Sequence, residues 1–360
     1  MLSHIPSLVL LLAHLHLTAS APFSFKDNPL GNSFPQIVSP SDQLTQISIA
    51  AHGSLPNGPP PNRPSDDSFT SLRLIAFNEL FEVAFFTQLL SNITKSVSGY
   101  EIADPTAKKF MVDSLTAVQA QEEIHVLNAN SALVAFGNKA VEPCEYQFPV
   151  EKLKDAISLA STFTDVVLGT LQDVVSRFGK NGDSDLILGV ASVIGQEGEQ
   201  NGWYRSFLKK IPSALPFLTT SSREFAFSAL QGFTVPGSCP DLGTIGLQIF
   251  DPLTVLSTGI EAKNLDLKFS VTLPEQGEWK KEFSMTYINQ QNVPVSKEIR
   301  DVNVLDRTVT FTANFPYDAA TFGNGLTLAV VTNSTGGLDF QSADAVVEAA
   351  VFGPGLIEIN

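Results

Sequence analysis

The spacing of apolar residues changes once along this chain of 360 residues, near residue 240. Before that point, apolar positions recur every three or four residues, which is typical of α-helices. Pro105 stands at a helix start, and Gly137 and Gly179 stand just after helix ends. We therefore predict four long helices and a shorter fifth one, at residues 68–92, 105–136, 150–178, 183–211 and 221–232.

After Cys239, apolar and polar residues alternate, and turn residues separate the segments at fairly regular intervals. This pattern predicts β-strands. The fold class is therefore α+β with two domains: a four-helix bundle at residues 66–240 and a small antiparallel β-sandwich of about seven strands at 241–360. The clearest predicted strands lie at 265–273, 283–288, 309–315, 326–332 and 356–359.

The first 65 residues differ in composition from the rest of the chain. An apolar run at 8–17 precedes the small residues Ala19 and Ala21, so residues 1–21 are predicted to be a signal peptide and the protein to be secreted. Residues 22–65 are rich in Pro, Ser and Asn. They are predicted to form an extended arm that is either draped over the body or disordered.

Charge and hydropathy exclude several classes of partner. Hydrophobic residues make up 43% of the chain, enough for a substantial core, and the net charge is −15. That charge argues against nucleic acids, whose phosphates require clustered Lys and Arg, and against anionic membrane surfaces. Beyond the signal peptide we find no membrane-length apolar segment and no hydrophobic C-terminal tail, so no membrane anchor is expected.

Secretion changes the interpretation of the cysteines and of two asparagines. Cys144 and Cys239 are the two cysteines, and an oxidising compartment favours one structural disulfide between them. The alternative, a reactive thiol, has no neighbouring histidine in its favour. Asn92 and Asn333 begin N-x-[ST] sequons and are candidate glycosylation sites.

Polar residues on the predicted inner helix faces carry the candidate chemistry. Glu122 and His125 lie three apart and share a face of the second helix, while Glu82 lies in an aromatic stretch of the first. Glu197 and Gln200 repeat the spacing in the fourth helix, with Gln in place of His. Buried carboxylates must be paired, protonated or metal-bound. These five residues predict either a site for Fe or Mn or a hydrogen-bonded polar centre without metal.

Ligand counting leaves the occupancy of this site open. Helical bundles with a carboxylate-bridged metal pair use Glu-x-x-His on two helices and one Glu on each of the other two. The third helix here has no central Glu, and Thr164 and Asp165 are its nearest candidates. A metal pair, a single metal and no metal all remain open. Glu79 is expected to support the site or lie at its rim, and Glu123 to face solvent or a neighbouring helix.

Three glycines interrupt the fourth predicted helix: Gly195, Gly198 and Gly202. Each costs up to about 1 kcal/mol relative to Ala. They indicate either a closely packed neighbour, which we favour, or space for a ligand.

Residues 77–86, 121–125 and 195–205 resemble segments of a known group, as do the Pro-rich arm and residues 235–240. The chain is similar to the secreted ferritin-like proteins of filamentous fungi and fission yeast that are associated with stress response and sexual development. These are distant relatives of plant desiccation-related proteins. The resemblance implies a ferritin-like four-helix bundle, but it does not imply a particular reaction.

Three functions remain compatible with these patterns. The first is a secreted structural or binding protein with a degenerate di-metal site, acting outside the cell or at the cell wall in stress response or sexual development. The second is a metal-dependent oxidase centred on Glu82, Glu122, His125 and Glu197, and the third is a module that binds a small apolar molecule. No catalytic residue and no oligomeric state are assigned. The β-region is a candidate wall- or glycan-binding module, with Trp279 as its single tryptophan.

Overall fold

Helices occupy most of the N-terminal two-thirds of this computed structural model, and strands most of the remainder. Residues 21–29, 31–59, 61–240, 242–333 and 340–359 are described. The predicted signal peptide lies outside these ranges except for Ala21. The described helices are α1 (Asp42–Ala50), α2 (Asp66–Thr94), α3 (Pro105–Ala135), α4 (Leu153–Asn181), α5 (Ile187–Phe207), α6 (Arg223–Gln231) and α7 (Ala343–Ala349).

Two of the other long helices, α3 and α4, pack against α2. This helix contacts α3 along its length and also packs against α4, which in turn packs against α5. The predicted helices match α2, α3, α4 and α6 to within a few residues. The prediction is less accurate for α5, because a short 3-10 turn, Ser184–Leu186, precedes it and the helix ends at Phe207.

Helix α2 is the apolar centre of the helical region. Ser65 caps its start by accepting a hydrogen bond from the Ser68 amide. Phe81 and Phe85 both pack edge-on against Phe163 of α4. By length and composition α2 is apolar enough to cross a membrane, so the expectation that no such segment exists is wrong. Its most apolar window is 83% buried inside the protein, as expected for a core helix.

The N-terminal arm is draped over the helices rather than simply extended. It contains α1, which the sequence analysis missed, and α1 packs against α3. Ile47 of α1 lies in an apolar cluster with Ala120 of α3. Phe34 is buried against Val83 of α2 and Val126 of α3. The arm is therefore part of the folded body at these positions.

The C-terminal strands form one antiparallel sheet. Its spatial order is β1-β2-β5-β4-β3-β6-β7, and β1 also lies against β7, so the sheet curls nearly into a barrel. In chain order the strands are β1 (Leu253–Val255), β2 (Leu265–Thr272), β3 (Phe283–Asn289), β4 (Val295–Leu305), β5 (Thr308–Phe315), β6 (Gly325–Asn333) and β7 (Ala350–Ile359).

The continuous sheet differs from the predicted sandwich because of β4. The first part of β4 pairs with β3 and the later part with β5, with a register shift between Arg300 and Asn303. One strand thus joins what would otherwise be two sheets. The sequence analysis missed β4 because most of its residues are exposed and many are polar or charged, which leaves a weak apolar alternation.

Two features join the helices to the sheet. Val166 of α4 and Phe225 of α6 share an apolar cluster with Leu328 and Val330 of β6. The predicted disulfide is confirmed: Cys144 and Cys239 are bonded across a sequence separation of 95 residues. The bond ties the loop before α4 to the segment that leads into the sheet. The proposed boundary between two domains stays a prediction.

The glycines of α5 do not have the packing role that we favoured. Within the described part of the chain, a Cβ added at Gly195 or Gly198 would meet no atom within 4 Å. At Gly202 the nearest contact is with Pro212, at 3.8 Å. By contrast, a Cβ at Gly169 of α4 would overlap the carbonyl oxygen of Thr219. Close approach to the backbone is thus a feature of α4, not of α5.

Alanine substitutions should separate these two kinds of glycine. Gly195→Ala and Gly198→Ala should each stabilise the protein by about 0.5–1 kcal/mol, because alanine favours the helix and meets no obstacle. Gly169→Ala should destabilise it by about 1–3 kcal/mol through overpacking. Urea denaturation measures both effects. Destabilisation by either α5 substitution would contradict the open space described above.

Candidate metal centre

Helices α2, α3 and α5 bring four potential ligands together. One ligand atom from each of Glu79, Glu122, His125 and Glu197 lies within 4.8 Å of the other three. The three glutamates are at most 1% exposed, and 14% of the His125 side chain is exposed. The i, i+3 spacing of Glu122 and His125 places both on one face of α3.

Glu82 lies one turn after Glu79 on α2 and borders this group. It is fully buried, and its Oε1 accepts a hydrogen bond of 2.9 Å from Asn78 Nδ2. Burial raises the pKa of Glu82 well above its usual range, and Glu122 and Glu197 raise this pKa further. Glu82 is therefore electrostatically part of the same centre.

Gln200 holds Glu122 rather than presenting a free ligand atom. Its Nε2 donates to Glu122 Oε1 at 2.7 Å, and its Oε1 accepts from the Tyr204 hydroxyl at 3.4 Å. On the other side of Glu122, Oε2 lies 2.8 Å from Nδ1 of His125. The same imidazole nitrogen lies 3.4 Å from Oε2 of Glu79. Both oxygens of Glu122 are thus fixed in position.

A chain of amides connects this centre to the N-terminal arm. Oε1 of Gln121 accepts hydrogen bonds from Gln196 and Gln200, at 2.9 and 3.2 Å. Its Nε2 donates to the carbonyl of Ala51, just after α1, at 3.3 Å. The sequence analysis assigned Gln121 no role, and nothing in a single glutamine signals one. The contact means that the arm braces the residue next to Glu122.

Glu197 is the residue whose environment is hardest to explain by hydrogen bonding alone. It is fully buried, yet within the described ranges neither of its carboxyl oxygens has a hydrogen-bond partner. Burial raises its pKa well above the usual range, and Glu79 and Glu122 raise this pKa further. A carboxyl group in this position would be stabilised by a cation or by a proton donor.

Glu79 and His125 also have shifted pKa values. Burial raises the pKa of Glu79 to about 7, although His125 partly offsets the effect. Burial lowers the pKa of His125, but Glu79 and Glu122 outweigh it, so that this pKa is raised well above its ordinary value. Carboxyl groups that lie this close cannot all ionise without a compensating positive charge.

The donor set fits a hard or borderline divalent cation. Carboxylate oxygens with one imidazole suit Fe or Mn better than softer metals, which prefer thiolates. Four ionised glutamates would carry a negative charge equal to the positive charge of two divalent ions, so the two would balance. Glu79, Glu82, Glu122, His125 and Glu197 would hold the metal, while Gln200 would orient Glu122 through its hydrogen bond.

Glu79 and Asp165 stand in different positions from those that the sequence suggested. Glu79 belongs to the four-residue group and not to its rim. Its spacing of three residues from Glu82 was the signal that pointed there.

Asp165 of α4 accepts a hydrogen bond of 2.9 Å from Asn201, and its charge interacts with Glu358 and Arg205. Thr164 is fully buried on the same helix.

Glu123 does not face solvent, so that part of the expectation is wrong, and it lies among residues of the neighbouring helices α1 and α2. It is 1% exposed and accepts a hydrogen bond of 2.5 Å from Asn32 of the arm. Burial raises the pKa of Glu123 to about 7. The side-chain amides of Asn32 and Gln119 lower this pKa and so offset part of the effect of burial. A draped arm was one of the two predicted alternatives, but no residue pattern pointed to a contact between the arm and Glu123.

The remaining candidate residues lie away from this centre. Asn92 is in the last turn of α2, half-buried and hydrogen-bonded with Tyr100. Asn333 ends β6 and is exposed, while residues 334 and 335 of its sequon lie outside the described ranges. Trp279 is half-buried against Phe283 and Phe311, so its ring is not a free surface for a glycan. Glycosylation at either asparagine stays a prediction.

The burial of Asp165 predicts a pH-dependent stability. Burial raises its pKa from 3.8 to about 8, so between these values the folded state keeps a proton that the unfolded state has lost. The free energy of unfolding therefore falls as pH rises through this window. Asp165→Asn removes this titrating group. The melting temperature of the variant minus that of the wild type should therefore be larger at pH 7.5 than at pH 5, by roughly 2 °C or more.

Asp155→Asn, at an exposed position near the start of α4, is the matched control and should show no such increase. Thermal melts of the three proteins at both pH values make the measurement. A stability difference between Asp165→Asn and wild type that is the same at both pH values would show that Asp165 is not the titrating group.

The helical region also matches a known domain family. Residues 72–210, which span most of α2 and all of α3, α4 and α5, match the family model of the ferritin-like domain. No curated protein matches the chain. The matched range contains every residue of the candidate metal centre. Residues 72–210 of this chain thus match a ferritin-like domain, and a nearly barrel-shaped antiparallel sheet follows them.

Proposed function

We propose that the ferritin-like domain binds Fe or Mn, as one ion or a pair, between α2, α3 and α5. The observation that carries this proposal is the environment of Glu197. Its two buried oxygens lack hydrogen-bond partners within the described ranges, and one of them lies within 4.8 Å of ligand atoms from Glu79, Glu122 and His125. A cation at this position would stabilise all four side chains together.

A metal-free polar centre accounts less well for these contacts. Hydrogen bonds that replaced the metal would have to satisfy the buried carboxyl groups. Glu122 meets this requirement through Gln200 and His125. Glu197 does not, and Glu82 Oε2 also lacks a partner within the described ranges. Protonation would remove the charge of Glu197 but would leave a buried O–H group without an acceptor.

The residues around the centre have separate tasks in this proposal. Glu79, Glu122, His125 and Glu197 supply ligand atoms, and Glu82 supplies a further carboxylate beside them. Gln200 keeps Glu122 in one orientation, and Gln121 keeps Gln200 in place. The surrounding aromatic residues of α2 keep water away, which strengthens each charge interaction.

A metal-dependent oxidase is the second candidate. The excess of carboxylates favours it, because four glutamates match two divalent ions, and a bound Fe or Mn pair would supply redox chemistry towards O2 or peroxide. His125 is the most exposed member of the ligand group, at 14%, so small reagents would approach from its side. Gln200 stands where a second Glu-x-x-His motif would have its histidine. This replacement favours metal binding without catalytic turnover.

We also propose that the protein works outside the cell or at the cell wall, in the stress response or sexual development of a fungus. The resemblance described above supports this setting. The disulfide between Cys144 and Cys239 is compatible with an extracellular protein. Absence of the mature chain from the culture medium and wall fraction of its host would refute it.

Metal analysis of matched glutamine variants tests the metal proposal. Protein secreted from a fungal host and purified without chelator should carry about one or two Fe or Mn ions per chain, as the ligand count requires. Glu197→Gln and His125→Ala should lose most of this metal, because each removes a buried ligand. Inductively coupled plasma mass spectrometry gives the content, and circular dichroism checks folding.

Glu199→Gln is the control, because Glu199 is exposed on the same helix two residues from Glu197. It should retain the wild-type metal content. Equal content in Glu197→Gln and Glu199→Gln would refute the proposed ligands, and a metal-free wild type after addition of Fe(II) and Mn(II) would refute metal binding. Oxygen consumption by the metal-loaded wild type but not by His125→Ala would favour the oxidase.

A further inference from the structure

A second polar environment lies on another face of α3, beneath the N-terminal arm. There Asn32 of the arm and helices α1, α2 and α3 line a cavity of about 370 Å³ that is partly open to solvent. This is within the size range of small-molecule sites, which is about 300–1,000 Å³. Successive residues of a helix point about 100° apart, so Glu122 faces the candidate metal centre while Glu123 faces this cavity. The two sites are therefore distinct.

The lining of the cavity combines apolar residues with six polar ones: Asn32, Gln46, Thr94, Thr116, Gln119 and Glu123. Ile47 and Ala50 of α1, Leu90 of α2, and Val112 and Ala120 of α3 supply apolar surface. Buried surface of this kind favours a hydrocarbon group. The arm supplies two of these residues, so the cavity has its full shape only when the arm lies against α3.

Three of these polar groups lie close together, and two of them are buried. Glu123 is 1% exposed and Gln119, one turn earlier on α3, is 3% exposed, and both line the cavity. Asn32 of the arm, which is half-buried, also lines it and holds Glu123 through its side-chain amide. Three polar groups from two separate segments thus meet at one place in the lining, while Gln46 and Thr94 are exposed.

At least one of the two amide N–H groups of Gln119 has no hydrogen-bond partner within the described ranges. Its Nε2 is buried, and the amide lies close enough to the Glu123 carboxyl group to lower the pKa of that group. A buried amide left unpaired costs about 1–3 kcal/mol. A ligand atom that accepts from Gln119 would recover this energy. Such an atom beside Glu123 would also be well placed to donate to the carboxyl group.

We propose that this cavity binds a small apolar molecule with one hydroxyl group, such as a monocyclic phenol. The hydroxyl oxygen would accept from Gln119 Nε2 while its proton is donated to Glu123, and the hydrocarbon part would lie against Leu90, Val112 and Ile47. A hydroxyl group fits this pair of partners because it donates and accepts at one atom. An ammonium group has no acceptor for Gln119, and a plain hydrocarbon satisfies neither partner.

Calorimetric titration with 4-ethylphenol tests this assignment, with ethylbenzene and 4-ethylanisole as matched probes. The phenol should bind at one site per chain. The two probes should bind at least ~10-fold more weakly, because neither can donate to Glu123. Equal binding of 4-ethylphenol and ethylbenzene would overturn the role of the hydroxyl group, and no saturable binding of 4-ethylphenol would overturn the site.

Variants locate the binding in the cavity. Ala50→Phe should fill it and abolish binding, whereas Ile49→Phe, at a position 70% exposed on the same helix, should leave binding unchanged. Gln119→Leu should weaken the binding of 4-ethylphenol but not the binding of ethylbenzene. Loss of folding would weaken the binding of both probes. Unchanged phenol affinity in both Ala50→Phe and Gln119→Leu would overturn the assignment.

This proposal does not depend on metal binding at the other face of α3. Glu197→Gln, which alters the candidate metal centre, should leave the affinity for 4-ethylphenol unchanged. Loss of phenol binding in that variant would instead place the phenol in the metal centre, and so would overturn the proposal.

Discussion

Burial of several carboxyl groups in one place is the constraint on which the rest of this structure depends. Glu79, Glu82, Glu122 and Glu197 lie almost fully buried between three helices, and they cannot all be ionised without a nearby positive charge. The basic side chain beside them is His125, whose pKa Glu79 and Glu122 raise well above its ordinary value. One imidazolium cannot balance four carboxylates. Protons or divalent cations must therefore complete the centre, and the unpaired oxygens of Glu197 favour cations.

The rest of the helical region holds these groups in place from outside. Gln200 and Gln121 connect Glu122 to the carbonyl of Ala51, and Asn32 holds the neighbouring Glu123. Both chains of contacts end in the N-terminal arm. The arm thus contributes to two sites on adjacent faces of α3: it braces the candidate metal centre and forms one wall of the cavity. A change in the arm would affect both.

Sequence periodicity predicted the helices well, because each long helix has a wide apolar face and recognisable end signals. It also pointed to Glu122 and His125 through their Glu-x-x-His spacing on one helix face, and to Glu197 through the equivalent Glu-x-x-Gln spacing. It failed where tertiary contacts decide the outcome. Strand β4 is stabilised by pairing with β3 and β5 rather than by apolar alternation. Glu123 resembles an ordinary helix-surface residue in sequence, and the arm determines that it is buried.

Anomalous X-ray scattering at the iron and manganese edges, from crystals of protein purified without chelator, tests the central claim most directly. The account predicts one or two anomalous peaks within coordination distance of Glu79, Glu122 and Glu197, with His125 as the nitrogen ligand. It predicts no peak at Glu123, which faces a different cavity. Well-ordered carboxyl groups with no peak between α2, α3 and α5, in crystals soaked with Fe(II) or Mn(II), would contradict the account.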